Sequence, residues 1–232
     1  MIGIIGAMDV EIRSILSRME EVEAKTIGGI QMHTGKLGKK PVVLALCGVG
    51  KVYAAHAVSI VTTHFNTTSI INVGVAGGIA PEVEIGDIVL STDLVQHDFD
   101  ASATGSGWLK GQIPYLDSPF FKSGEALVRA AKTAAKSVMP PEKIHIGRIA
   151  TGDQFINKSE TKKEIWQTFT PLCVEMEGAA MAQICALANI PFIAIRAISD
   201  KADGTAHHDF PAFVEETAAI SSAIVIKMLS IL

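Results

Sequence analysis

Short apolar runs alternate with longer stretches of helical periodicity along this chain, and that rhythm restricts it to an α/β fold with a mostly parallel sheet. Strands are expected over Ile2–Gly6, Ile30–Thr34, Val42–Leu46, Ile70–Val75, Asp87–Ser91, Ile144–Thr151, Leu172–Glu175 and Phe192–Ser199. Several are apolar on both faces, as central strands covered by helices are. Helices are expected over about Asp9–Met19, Lys51–His64, Gly124–Lys136, Ser159–Phe169, Gly178–Ala188 and Pro211–Ile231. The second half of the first helix and the whole of the last are amphipathic, so both should pack on the sheet. The 232 residues suit a single domain spanning 1–232 with a large core. Gln96 to Phe121 is the one long stretch without periodicity, and such a loop usually serves as a lid or an interface.

The net charge of −4 is spread along the chain, leaving no basic stripe for a nucleic-acid partner. The charge runs Glu20-Glu21, Lys39-Lys40 and Lys162-Lys163 read as solvated turns and helix faces. No apolar run reaches the roughly 18 to 20 residues that span a bilayer, so no membrane partner is expected. Met1 to Gly6 lacks a basic leader and reads as a first strand rather than a signal peptide. Cys47, Cys173 and Cys185 sit in apolar segments at no metal-ligand spacing, which suggests buried, reduced thiols in a cytoplasmic protein. His97, His207 and His208 lie near acids but do not converge as metal ligands would. Neither a metal nor a cofactor is expected, although His97 is a candidate for the wall of a cleft.

Most polar or glycine-rich motifs fall just beyond the C-terminal end of a strand, where open α/β sheets bind their ligands. Gly6-Ala-Met-Asp-Val-Glu11 turns a strand into a helix whose positive end favours ionised carboxylates. Asp9 reads there as a helix cap, whereas Glu11 follows the cap and is free to face a cleft. Cys47-Gly-Val-Gly-Lys51 is a glycine turn without the spacing of a P-loop or a dinucleotide fingerprint. Asn72-Val-Gly-Val-Ala-Gly-Gly-Ile79 should expose backbone amides around a flat or anionic group. Thr151-Gly-Asp-Gln-Phe-Ile-Asn157 offers the face of Phe155 to a base, with a core aromatic as the alternative. In Val174-Glu-Met-Glu-Gly-Ala-Ala180, packing does not explain two acids at the end of an apolar strand. In extended chain Glu175 and Glu177 share a face, and a small-residue helix start after Glu177 should keep it ionised, fit to hold vicinal hydroxyls of a sugar. Phe192 to Asp200 carries Arg196 inside an apolar strand, where it needs a carboxylate partner. Regular alternation puts Arg196 and Asp200 on one face and Ser199 on the other, with Asp200 a candidate acid or base.

Taken together, Gly3-Ile-Ile-Gly-Ala-Met8, Gly48-Val-Gly-Lys51, Gly74-Val-Ala-Gly-Gly78, Thr151 to Asn157, Val174-Glu-Met-Glu-Gly178 and Arg196-Ala-Ile-Ser-Asp200 resemble one family in order and spacing. It is the bacterial 5′-methylthioadenosine/S-adenosylhomocysteine nucleosidases of the nucleoside phosphorylase superfamily. The resemblance implies a three-layer α/β/α sandwich with a mixed, twisted central sheet, and a homodimer. It implies hydrolysis of methylthioadenosine and S-adenosylhomocysteine, with 5′-deoxyadenosine a further candidate, to adenine and the 5′-thioribose in methionine salvage. It makes Glu11 the base that activates water and Asp200 the acid that protonates the purine. Glu177 with Met176 then holds the ribose, Phe155 and the Ile156 backbone hold adenine, and Gly77 lies in the glycine turn. Ser199 and Arg196 support Asp200, and Met8, Val49 and Phe210 line the pocket for the 5′-alkylthio group.

Asp200 must be protonated to act as an acid, which Arg196 beside it would oppose unless Arg196 pairs with Glu175. Two departures bear on substrate preference. Many relatives have serine at Val75, and the loop after His97 lacks their Phe-Gly-Tyr run; it should border the 5′ pocket, from this or a partner subunit. The rivals are a futalosine or aminofutalosine hydrolase of the same fold, a phosphorolytic purine nucleoside phosphorylase, and a non-catalytic adenosine-ligand sensor. The phosphorylase would need arginines to clamp phosphate.

Overall fold

The computed structural model describes all 232 residues. Ten strands, β1 (Ile2–Gly6), β2 (Glu20–Ile27), β3 (Ile30–Leu37), β4 (Lys40–Leu46), β5 (Ser69–Gly78), β6 (Ile88–Gln96), β7 (Phe121–Lys122), β8 (Ile144–Thr151), β9 (Cys173–Glu175) and β10 (Phe192–Asp200), form one mixed sheet. Six helices cover it: α1 (Asp9–Leu16), α2 (Lys51–His64), α3 (Glu125–Lys136), α4 (Ser159–Phe169), α5 (Gly178–Leu187) and α6 (Ala206–Leu229). This is the α/β/α sandwich expected. No helix is long and apolar enough to cross a membrane.

Strand order explains how the motifs meet. The sheet runs β10-β6-β8-β9-β5-β1-β4-β3-β2, with β7 beside β6, and β5 also pairs with β10. The strands β5, β10, β6, β8 and β9 therefore close on one another, while β1, β4, β3 and β2 extend as an open wing. The parallel strands β1, β5 and β10 end side by side, each delivering its motif to one rim. On one face α2 and α5 bury alanines and valines against the sheet; on the other, α1, α3 and α6 pack with Ile4, Ile71 and Ile195. A fully buried isoleucine contributes about 1.5–3 kcal/mol, so these two faces supply most of the drive to fold.

Four differences from expectation have local causes. The first helix stops at Leu16, and Glu20-Glu21 opens β2 rather than a turn. That strand has no apolar face to read; it is an edge strand zipped onto β3 through Gly28 and Gly29, whose φ values of 55° and 81° make the turn. Strand β6 runs on to Gln96 because an irregularity between Ser91 and Leu94 absorbs the polar pair Thr92-Asp93. Helix α6 starts at Ala206, five residues before Pro211, which lies within it. Pro211 falls in the second turn, beyond the four free N–H groups of the helix start, so the His207 carbonyl goes without a helical donor there.

Candidate functional site

The rim of β1, β5 and β10 opens into a cleft of about 210 Å³. Its walls include Met8, Glu11, Val49, Gly77, Phe155, Ile156, Met176, Glu177, Ser199, Asp200 and Phe210. Of the site residues expected from sequence, only Arg196 stands outside the lining. His97 does not line it either: its ring presses on Gly152 behind the wall.

Glu11 sits in the first turn of α1 and reaches back over the helix start. The N–H groups of Ala7 and Met8 donate to its Oε2 at 2.8 and 2.9 Å, and Val75 N–H donates to Oε1 at 3.0 Å. Capping thus falls to Glu11, while Asp9, the residue expected to cap, is exposed and makes no side-chain cap bond. Ser222 of α6 donates to the Glu11 carbonyl at 2.8 Å, bracing the turn from behind. Burial raises the Glu11 pKa, against Arg196 and the three amides that favour the anion. The helix start alone predicts the opposite direction, so desolvation outweighs it.

The glycines of β5 make room for carboxyl groups. A Cβ on Gly74 would collide with the Glu11 carboxylate, and one on Gly77 would stand 2.8 Å from Asp200 Oδ1. The run was expected to bare its amides to a ligand; instead Val75 N–H is spent on Glu11, and the bare strand surface admits the protein's own acids.

Arg196 is 1% exposed and pairs with Glu175 at 2.5 Å, not with Asp200. It also donates to the Asn72 side-chain oxygen and, at 3.3 Å, to the Asn72 and Ile195 carbonyls. Asp200 receives a bond from Ser199 Oγ at 3.0 Å and one from Ala202 N–H at 2.8 Å. Burial raises its pKa over these two bonds, and Asp209 and Asp203 push it further in the same direction. Regular alternation of β10 fails at this point. The register against β5 shifts between Ile198 and Asp200, so Ser199 and Asp200 both reach the cleft.

Glu175 and Glu177 do separate work. Strand β9 ends at Glu175, whose carboxylate accepts the N–H groups of Glu177 and Gly178 and the hydroxyl of Thr151, capping α5. Glu177 turns to the cleft, where Gly50 N–H donates to it at 2.8 Å. Its pKa is raised by burial and by the Glu175 charge, against the direction expected from the helix start, whose amides Glu175 already occupies. Phe155 is 46% exposed rather than a core aromatic, and meets Phe210 edge to face at 5.8 Å. Val75 lines the wall with a methyl surface.

Sequence reasoning missed Asn72 and Thr151, the two neutral groups that complete the Arg196–Glu175 pair. Asn72 carried a signal: an asparagine inside an apolar strand must find partners, and it donates to the Ile5 carbonyl at 3.0 Å. Three carboxyl groups of different environment around an apolar, aromatic-edged cleft suit acid–base chemistry on a small, flat organic molecule.

A family model of the phosphorylase superfamily matches residues 1–230, the class that such a fold and site define. The 5′-methylthioadenosine/S-adenosylhomocysteine nucleosidase of Geobacillus thermodenitrificans is 40% identical, over 99% of this chain and 96% of its own. The Neisseria meningitidis nucleosidase of the same name, in complex with methylthio-immucillin-A, superposes with a TM-score of 0.96 at 38% identity, covering 100% and 99% of the two chains. Futalosine hydrolase of Helicobacter pylori superposes at 0.93 with 33% identity, covering 100% and 97%. The chain belongs to the phosphorylase superfamily and, within it, to the 5′-methylthioadenosine/S-adenosylhomocysteine nucleosidase family.

Proposed function

We propose that this chain is a hydrolase that cleaves the N-glycosidic bond of 5′-methylthioadenosine and S-adenosylhomocysteine, releasing adenine and the 5′-thioribose. The observation that carries the mechanism is the Arg196–Glu175 pair, which occupies the guanidinium and leaves Asp200 free to hold a proton. Breaking the bond builds positive charge on the ribose and negative charge on the departing purine. Asp200 donates its proton to purine N7, so adenine leaves neutral. Glu11, ionised and fixed by three amides, takes a proton from the water that attacks the ribose carbon. Glu177 accepts bonds from the ribose hydroxyls beside Met176. Phe155 and the Ile156 backbone hold adenine, and Met8, Val49 and Phe210 enclose the 5′-alkylthio group.

Neither lysine nor arginine lines the cleft, which supports water over phosphate as the nucleophile. The 40% identity to the Geobacillus relative, a nucleosidase named for methylthioadenosine and S-adenosylhomocysteine, supports those substrates over futalosine-type ones. The whole chain acts as one unit, as a cytoplasmic homodimer in methionine salvage. Support for the dimer is the apolar surface of Val52, Tyr53 and Leu187, left exposed on α2 and α5.

Adenine release from methylthioadenosine, followed with and without phosphate, tests the reading. Turnover should not depend on phosphate, and Glu11→Gln should lower kcat by at least about a hundredfold with the fold intact. Phosphate-dependent turnover would reject hydrolysis. Turnover confined to aminofutalosine would move the assignment to the rival substrate.

A further inference from the structure

Helix α2 begins with Lys51, a cation at the helix end that disfavours cations, and its first turn holds no acid. Its N-cap is Gly50, with φ of 100° and no side chain to cap with. What offsets both costs comes from elsewhere in the chain. Asp153 Oδ1 accepts Lys51 N–H at 2.8 Å, acting as the cap across a gap of 102 residues. Lys51 Nζ lies 2.7 Å from Asp98 Oδ1, 3.2 Å from Gln96 Oε1 and 4.0 Å from Asp153 Oδ2. Asp98 Oδ2 in turn accepts Asp153 N–H at 2.9 Å, closing a ring of bonds. Burial would raise the Asp98 carboxyl, but bonds from Lys51 and the Asp153 amide hold it below its ordinary value.

Two corners of this ring adjoin different walls of the cleft, and the third anchors them to the long loop behind. The turn before Lys51 carries Val49 and the Gly50 N–H that binds Glu177. Asp153 immediately precedes the segment of Phe155 and Ile156. Asp98 opens the long loop that runs to β7. We propose that Lys51 is a positioning residue: with Asp98 and Asp153 it clasps these three segments, setting the Gly50 amide against Glu177 and Phe155 over the same ligand. The proposal rests on the reading of Glu177 and Phe155 as the ribose and adenine contacts. A lysine kept only for solubility would not be 18% exposed between two aspartates at the wrong end of a helix.

The test compares wild type, Lys51→Met, Lys51→Arg and Asp98→Asn in steady-state turnover of methylthioadenosine, with adenine affinity by calorimetry and thermal unfolding alongside. Loss of a charged hydrogen bond should raise KM about tenfold or more in Lys51→Met, with kcat changed much less. Lys51→Arg should recover part of that loss. Asp98→Asn should raise KM in the same direction, and the double variant should be no worse than Lys51→Met alone, since both break one clasp. A KM within twofold of wild type in both Lys51→Met and Asp98→Asn overturns the proposal. So does a loss of activity that only follows the folded fraction. If Lys51→Met does not fold, Asp98→Asn on the exposed loop decides alone. Adenine affinity separates the two readings: absent turnover by wild type defeats the proposed function, whereas unchanged adenine binding across the variants defeats the clasp.

Discussion

Gly74 and Gly77 show how a residue chosen for what it lacks can place a charge. Each leaves β5 bare where Glu11 or Asp200 lies against it, and neither needs a positive φ to do so. The two acids then diverge. Glu11 keeps three amides and the field of Arg196, all favouring the anion, whereas Asp200 keeps two bonds and faces Asp203 and Asp209. A raised carboxyl pKa means that the proton is held to higher pH than in solution. Activity should therefore fall as pH drops below the Glu11 value, because the base is lost. It should fall again as pH rises above the Asp200 value, because the acid is lost. In Asp200→Asn the alkaline limb of kcat/KM should disappear, together with about a hundredfold or more in rate. An unchanged alkaline limb would assign it to another group. The residue types at these positions were legible in the sequence, since carboxylates at the ends of apolar strands have no packing explanation. The direction of their pKa shifts was not: helix position pointed downward for Glu11 and Glu177, and burial raised both.

At the scale of elements, helix α5 depends on Glu175 for its start. Its own N-cap, Glu177, makes no cap bond and looks into the cleft instead. Glu175 is ion pair and cap at once, so one side chain joins β9, α5, β8 through Thr151 and β10 through Arg196. Glu175→Gln leaves Arg196 buried without its anion, which costs about 3–5 kcal/mol and should lower the unfolding midpoint by roughly 6–20 °C. Because Glu177 follows the capped turn, KM should rise as well. A midpoint within a degree or two of wild type would show that Asn72 and the carbonyls suffice for the guanidinium. Helices were legible here because their periodicity is local. Strand β2 and the opening turn of α6 were not, since β2 forms only on the hairpin it zips to and Pro211 reads as a boundary.

For the whole molecule, the closure of β5, β10, β6, β8 and β9 brings distant motifs to one rim, and α2 and α5 remain with an apolar outer surface. If that surface is the dimer interface, Val52→Lys should shift sedimentation from dimer to monomer while the fold survives. A variant that stays dimeric would move the interface to another face. The α/β rhythm and the chemical inventory of the site were determined by the sequence itself. Helical period, strand length and the presence of an acid within an apolar run are properties of neighbouring residues and need no tertiary context. Only the tertiary structure decided which groups are partners. Gly50 meets Glu177 across 127 residues, and Arg196 meets Asn72 across 124. Arg196 takes Glu175 and leaves Asp200 alone because the shift in β10 register turns Asp200 into the cleft. Hydrogen bonds, desolvation and fields depend on distance in space, and chain order does not carry them.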